Sequence, residues 1–418
     1  MSSLAAPGSL AEHVAEPPRP SDVVEQVATQ QQRNVAVDAY RGFVMLLMMA
    51  EVLQFYRTSL RFPDNLFLQV LGYNQQHVPW AGMSLHDTIQ PGFTFLVGVA
   101  LPYSIRSRQR KGQSFRRMLF HTMWRSLLLI ALGIFLRSTN SPMTNFTFED
   151  TLTQIGLGYT FGFLLTFTKP RWQWIGFTTI LFGYWLAWAI YPAPGPYFDW
   201  AAAGVTPDLQ SHLFTGFAAH WNKNSNLGQA FDVWFLNLFP RPSRFLYNDG
   251  GYLTLSFIPT LGTMLLGVTA GRWFHDAAPR IPMRKFLFAG AAFCAAGLLL
   301  HFAGVCPIVK RIWTPSWTLF SGGICFLFLA AFCWLVDVKK HHRFAFPLVV
   351  VGINSIAAYV MAELSRNFVE SSLRINLGPA VLNLLGSKLE NFLVGVLTLC
   401  TYWLVLYWMF KKRIFVRI

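Results

Sequence analysis

The sequence predicts an all-α polytopic membrane protein, one bundle of about ten transmembrane helices with a large extracytoplasmic loop. Three observations carry this. Of 418 residues, 53% are hydrophobic and only 13% charged, about half the charged share of a soluble domain. Apolar stretches near the roughly twenty residues that cross a bilayer recur along the chain. Basic residues gather on alternate connections. Mean hydropathy is +0.38. This composition excludes a water-soluble enzyme and a disordered chain.

Residues 1–34 are rich in Ala, Pro, Glu and Gln and read as a disordered cytoplasmic tail without the apolar core of a signal peptide. Residues 35–418 form the membrane domain. Its apolar stretches run approximately 38–57, 85–105, 118–136, 152–168, 173–191, 253–270, 286–303, 317–336, 346–363 and 391–410. An even number of spans puts both termini on one side. That side then carries Arg41, the run Arg106–Arg117, Lys169, Arg171, Arg272–Lys285, Lys339–Arg343 and Lys411–Arg417. The excess of Lys and Arg on short connections marks it as cytoplasmic. The net charge of +15 is therefore a topology signal with membrane lipid as the expected partner, and no nucleic acid is expected. The opposite side carries loops 58–84, 192–252 and 364–390. The longest, 192–252, holds FAAHWNKNSN at 217–226, and a cysteine at Lys223 would report its side. The five cysteines form no CxxC pair and read as small core residues, and no metal site is expected.

Ionisable groups in or beside apolar spans are the candidates for chemistry, because lipid penalises them unless they are paired or hydrated. Asp38 and Arg41 open the first span one turn apart, as an ion pair anchoring the helix end or as part of a site. Glu51 lies deeper, paired with Arg125 or facing a hydrated cavity. The densest constellation is HVPWAGMSLHDTIQPGFTFLVG at 77–98, where His77, Trp80, His86 and Asp87 precede the second span. A histidine exchanges protons near neutrality and a carboxylate can orient its ring. VGINSIAAYVMAE at 351–363 puts Asn354, Ser355 and Glu363 in one span, as interhelical hydrogen-bond groups or as ligands. Thr314 or Ser316 in KRIWTPSW is a candidate cap.

Taken in order, VDAYRGF, the His77–Trp80–Gly82–Asp87 run ending in PGFTFLVG, FIPTLGTMLLGVTAG, KRIWTPSW and GINSIAAYV resemble the heparan-α-glucosaminide N-acetyltransferase family of transmembrane acyltransferases, in a bacterial branch. The resemblance covers residues 35–418. It implies transfer of an acetyl group from cytoplasmic acetyl-CoA, as co-substrate, to the amine of a glucosamine-type sugar or glycan on the far side of a bacterial inner membrane. It implies catalytic roles for His77 and Asp87. Trp80, Glu51, Asn354 and Glu363 would contact the acceptor, and Arg41, Arg106, Arg108 and Arg110 would hold the CoA phosphates. His86 lies outside the family pattern, so its loss should cost little. A homodimer is among the arrangements the resemblance allows. Lysosomal members carry a further N-terminal luminal region and one more span, and Thr153-Gln154 stands where they have Gln-Arg. Bacterial relatives are also named as N-acetylglucosamine-associated transporters, so the alternative is an amino-sugar carrier without covalent chemistry.

Overall fold

The computed structural model describes residues 34–416, so the expected disordered tail at 1–34 lies outside the described residues except for Asn34. All regular structure among them is helical. The helices that build the bundle are α1 (Val35–Met49), α2 (Phe55–Leu60), α3 (Leu66–Asn74), α4 (Ile89–Arg110), α5 (Phe115–Ser138), α6 (Thr151–Thr166) and α7 (Pro170–Ile190). After a long irregular stretch come α8 (Leu227–Phe235), α9 (Phe257–Ala277), α10 (Met283–Phe302), α11 (Pro315–Phe332), α12 (His342–Ile353), α13 (Ser355–Leu382) and α14 (Glu390–Lys411).

Starts are set by side-chain caps: Asn34, Ser114, Asp150 and Thr314 each accept from a backbone N–H of the first turn that follows. Thr314 is thus the cap of α11, as the sequence suggests. The first apolar stretch is not one helix to residue 57. α1 ends at Met49, a 3₁₀ turn covers Ala50–Leu53, and Gln54 takes a left-handed conformation before α2. The stretch expected as a third outer loop, 364–390, is mostly helix, because α13 continues to Leu382 with a break at Gly378. Asn354 marks a 72° bend between α12 and α13.

Five helical segments among the described residues are long and apolar enough to cross a membrane, or six if the bent pair counts as one span. This architecture is consistent with a polytopic membrane protein. Helices α1 and α6 have 15 and 16 residues, short of the roughly twenty a span requires. Helix α4 has the length but dilutes its apolar content with Gln90, Thr94, Ser104 and three arginines. The segment containing α9 is the most enclosed, with 78% of its apolar window buried, whereas that of α10 is 22% buried. Phe288 and Phe302 of α10 point outward, as a lipid-facing surface would.

Lipid tails are as apolar as leucine, so helices in a bilayer gain little from burial itself and are held by close packing. Glycines supply it here. A Cβ at Gly98 of α4 would sit 2.0 Å from the Met264 carbonyl oxygen of α9, and one at Gly267 would sit 2.0 Å from that of Phe95. Gly42 and Gly352 join α1 to α12 in the same way.

The segment between α7 and α8 is pinned by buried polar side chains. Asn222 bonds both the N–H and carbonyl of Phe214, and Asn224 Nδ2 donates to the carbonyls of Ala203 and Asn248. Lys223 is buried, its Nζ donating to the Asp249 carbonyl at 2.6 Å, so it is not the accessible reporter its charge suggests. Tyr197 in the same segment is 99% exposed.

Candidate functional site

The site forms where three irregular segments meet at the N-terminal end of α4. The first is residues 75–88. Gly82 adopts φ +111°, a conformation open to glycine, and its N–H donates to the Ile308 carbonyl. Ser84 Oγ donates to the Gln76 carbonyl, folding His77 back over Asp87. The second is residues 305–314, a tight turn in which Thr314 Oγ1 donates to Pro307 O and accepts from Val309 N. This turn presents Lys310 and Arg311. The third is residues 248–252, held by Arg311 Nη1 donating to Gly250 O at 2.6 Å. Arg311 Nη2 also donates to Val78 O, so one guanidinium ties the second segment to both others.

Asp87 is fully buried. Its Oδ2 accepts from Ser84 N at 3.0 Å and lies 3.0 Å from the Ser84 hydroxyl oxygen. Its Oδ1 lies 2.7 Å from His77 Nδ1 and 3.4 Å from Lys310 Nζ. With the carboxylate accepting, the ring proton sits on Nδ1 and Nε2 carries the lone pair. Lys310 Nζ is 3.1 Å from Nδ1. Burial pushes the His77 imidazole down to about 4; the Lys310 ammonium acts in the same direction, and the Asp87 hydrogen bond opposes both. A third of the His77 side chain still faces open space. The arrangement is a neutral imidazole, fixed in tautomer and orientation and available as a proton acceptor.

His77 faces a cavity of about 360 Å³ lined also by Glu51, His86, Gln90, Asn248, Tyr252, Lys310 and Glu363. Its floor includes Arg137, Glu149 and Tyr359. Arg137 Nε and the Tyr359 hydroxyl both donate to Asp150 Oδ2, at 3.2 and 3.0 Å, locking α5, α6 and α13 together beneath the site. Burial pushes the Glu149 carboxyl upward. Glu51 bonds His86 Nε2 at 3.1 Å and does not pair with Arg125, which donates instead to the Tyr159 hydroxyl. A second, more open cavity of about 460 Å³ shares Glu51, His77 and His86 with the first.

Of the residues singled out from sequence, His77, Asp87, Glu51 and Glu363 come together. Trp80 packs one layer behind, buried, with its Nε1 donating to Trp221 O. Asn354 stands apart: its side chain donates to Ile414 O and accepts from Val416 N, clamping the C-terminal segment. Lys310, Tyr252, Arg137 and Glu149 escaped the sequence reading. Lys310 and Arg311 did carry a signal, as two cations on the side that the charge asymmetry leaves poor in them.

A third cavity, about 710 Å³, lies at the C-terminal end of α4 and the start of α1. It is lined by Asp38, Arg41, Tyr103, Arg106, Arg110 and His275 among others. Arg41 donates to Asp38 at 2.9 Å, the expected pair. Arg106 Nη1 is buried without a hydrogen-bond partner. Arg108 does not line this cavity. The two ends are close: Arg41 lines one cavity and Met48, about 10 Å further along the same helix, lines the other.

Among known proteins, the heparan-alpha-glucosaminide N-acetyltransferase of Homo sapiens is 23% identical over 430 residues, covering 92% of this chain and 59% of the relative. The protein of the same name from Mus musculus is 25% identical over 387 residues, covering 82% and 56%. The chain thus spans a little over half the length of the curated relatives it matches. No family model matches it. The similarity to both runs along most of this chain and supports a distant relationship to the heparan-alpha-glucosaminide N-acetyltransferases.

Proposed function

We propose that the protein is a membrane N-acetyltransferase that moves the acetyl group of acetyl-CoA to the amine of a glucosamine-type acceptor. The observation that carries this is the His77–Asp87–Lys310 constellation on a cavity sized for a sugar and lined by Glu51, Glu149 and Glu363. Carboxylates favour an amine, and a neutral imidazole can take its proton. The amine nitrogen attacks the thioester carbonyl carbon, the C–N bond forms and the C–S bond breaks. His77 Nε2 accepts a proton from nitrogen, and the departing sulfur is protonated to the thiol. Lys310, beside the ring, can stabilise the developing oxyanion. The third cavity suits the donor's phosphates: the orphaned Arg106 Nη1 is a donor awaiting an anion, with Arg41 and Arg110 beside it. Both relatives are named as N-acetyltransferases, and neither name speaks for a sugar carrier.

The same reading makes 35–418 one acyltransferase domain of ten spans, with the Arg106 cavity cytoplasmic and the His77 cavity and residues 192–252 outside. The acceptor reaches His77 from outside, and the donor arrives from the basic side. Purified protein given acetyl-CoA and glucosamine should yield the N-acetylated sugar and free thiol by mass spectrometry; sugar counterflow without acetylation would defeat the reading. Arg106→Gln should weaken acetyl-CoA binding by roughly 10- to 150-fold, the cost of about 1.5–3 kcal/mol for a hydrogen bond to a charged group. Isothermal titration reads this directly, and unaltered affinity would leave Arg106 as a topology signal alone.

Sidedness has its own test. In a background freed of native cysteines, Tyr197→Cys should react with an impermeant thiol reagent in intact cells, and Lys111→Cys should react only after lysis. The opposite labelling pattern would overturn the placement of His77 outside.

A further inference from the structure

Acetyl transfer to an amine releases a proton that must go somewhere. At neutral pH an amino-sugar amine enters largely as its ammonium ion, which loses one proton to free its lone pair. The nitrogen loses a second on becoming an amide, and the departing thiolate takes one back. One proton per turnover is left over. His77 is placed to receive protons from nitrogen, but a residue held neutral is a poor place to keep one, and its Nδ1 side is closed by Asp87 and Lys310.

Lys310 Nζ also lies 3.5 Å from His77 Nε2, and the ring packs against a second histidine. The rings of His77 and His86 lie 4.6 Å apart, centroid to centroid. His86 is 8% exposed and bonds Glu51 at 3.1 Å, while the Glu51 side chain is 46% exposed. These three residues line both the first cavity and the more open one, and so stand where the two meet. Beyond Glu51 the open cavity is walled by Gln54, Gln75, Gln76, Arg57 and Arg366, groups that hold water.

We propose that His86 and Glu51 are relay residues that carry the released proton from His77 to the open cavity. This rests on the acetyl-transfer reading and assigns a role to a histidine that the family motif does not include. The path is short: proton from His77 to the neighbouring imidazole across the ring contact, which one bridging water would complete, from His86 Nε2 to Glu51, and from Glu51 to water.

The test is turnover at saturating acetyl-CoA and amino sugar for wild type, His86→Asn and Glu51→Gln, with and without added imidazole as a diffusible proton carrier. For His86→Asn, kcat should fall by roughly 10²-fold, the lower end of what a positioned proton-transfer group contributes. The KM for acetyl-CoA should stay unchanged. Added imidazole should restore much of the loss in His86→Asn and leave wild type unaffected. Glu51→Gln keeps an acceptor for His86 and should show a smaller loss with the same imidazole response. Wild-type turnover in both variants, or a loss that imidazole does not repair, would overturn the relay and reduce His86 to packing. Absence of acetylation by the wild type would instead defeat the parent reading.

Discussion

His77→Ala is expected to abolish acetylation while leaving a folded protein that binds acetyl-CoA. The loss should be at least the roughly 10²–10⁴-fold attributed to a positioned acid–base group. The reason is geometric. Asp87 is held by Ser84 and by Lys310 as well as by His77, so removing the ring leaves its carboxylate paired and the local fold intact. What is lost is the lone pair on Nε2. The wild-type pH profile supplies a second check. Because the imidazole is held down to about 4, it stays unprotonated well below neutrality. The acidic limb of kcat/KM set by this base in the free enzyme should therefore lie near pH 4, far below the value of a free histidine. Near-normal turnover in a folded His77→Ala protein would remove this residue from the mechanism.

Gly98→Leu should have the largest effect on folding. The added Cβ would meet the Met264 carbonyl oxygen at 2.0 Å, and that oxygen belongs to helix backbone and cannot swing away. The two helices must separate, opening the most enclosed segment of the bundle. Substitutions costing more than about 4–5 kcal/mol are exceptional, and forced overpacking against backbone is one of the routes to them. The measurement is the fraction of protein eluting as a monodisperse species in detergent, with its thermal midpoint. Gly183→Ala is a suitable control, since nothing lies within 4 Å of a Cβ there. A Gly98→Leu protein as stable as that control would show that the α4–α9 contact does not hold the bundle.

The helical class and most of the helices were legible because long apolar runs and the placement of arginines are written locally in the chain. The pair His77–Asp87 was legible for a related reason: both residues lie in one short polar segment next to a span. Lys310 was not, because it lies 233 positions further on and is brought beside His77 only by the turn that Thr314 and Pro307 tie together. Glu51 was singled out as a charge in an apolar stretch and proves half-exposed at a cavity, yet its partner His86 could not be chosen over Arg125 without knowing how α1 ends. Asn354 shows the converse. An amide in an apolar stretch announces that it needs partners, and here they are the backbone groups of Ile414 and Val416.

The approach of the two cavities along α1 has an electrical consequence. Water entering a protein from both ends carries the bulk potential inward with it. The voltage of an energised membrane would then fall across the thin septum between Arg41 and Met48 rather than across the full hydrocarbon thickness. A charge crossing that septum would feel almost the whole potential, about 2.3 kcal/mol per 100 mV, within about 10 Å of helix. Between Arg41 and Met48 the first helix carries Val44 and Met45, both buried and apolar, and Phe95 and Leu96 of α4 are buried as well. An acetyl group is neutral and can pass such a barrier without electrical work. The phosphates of its carrier cannot, and in this molecule the arginines that would hold them stand on one side only.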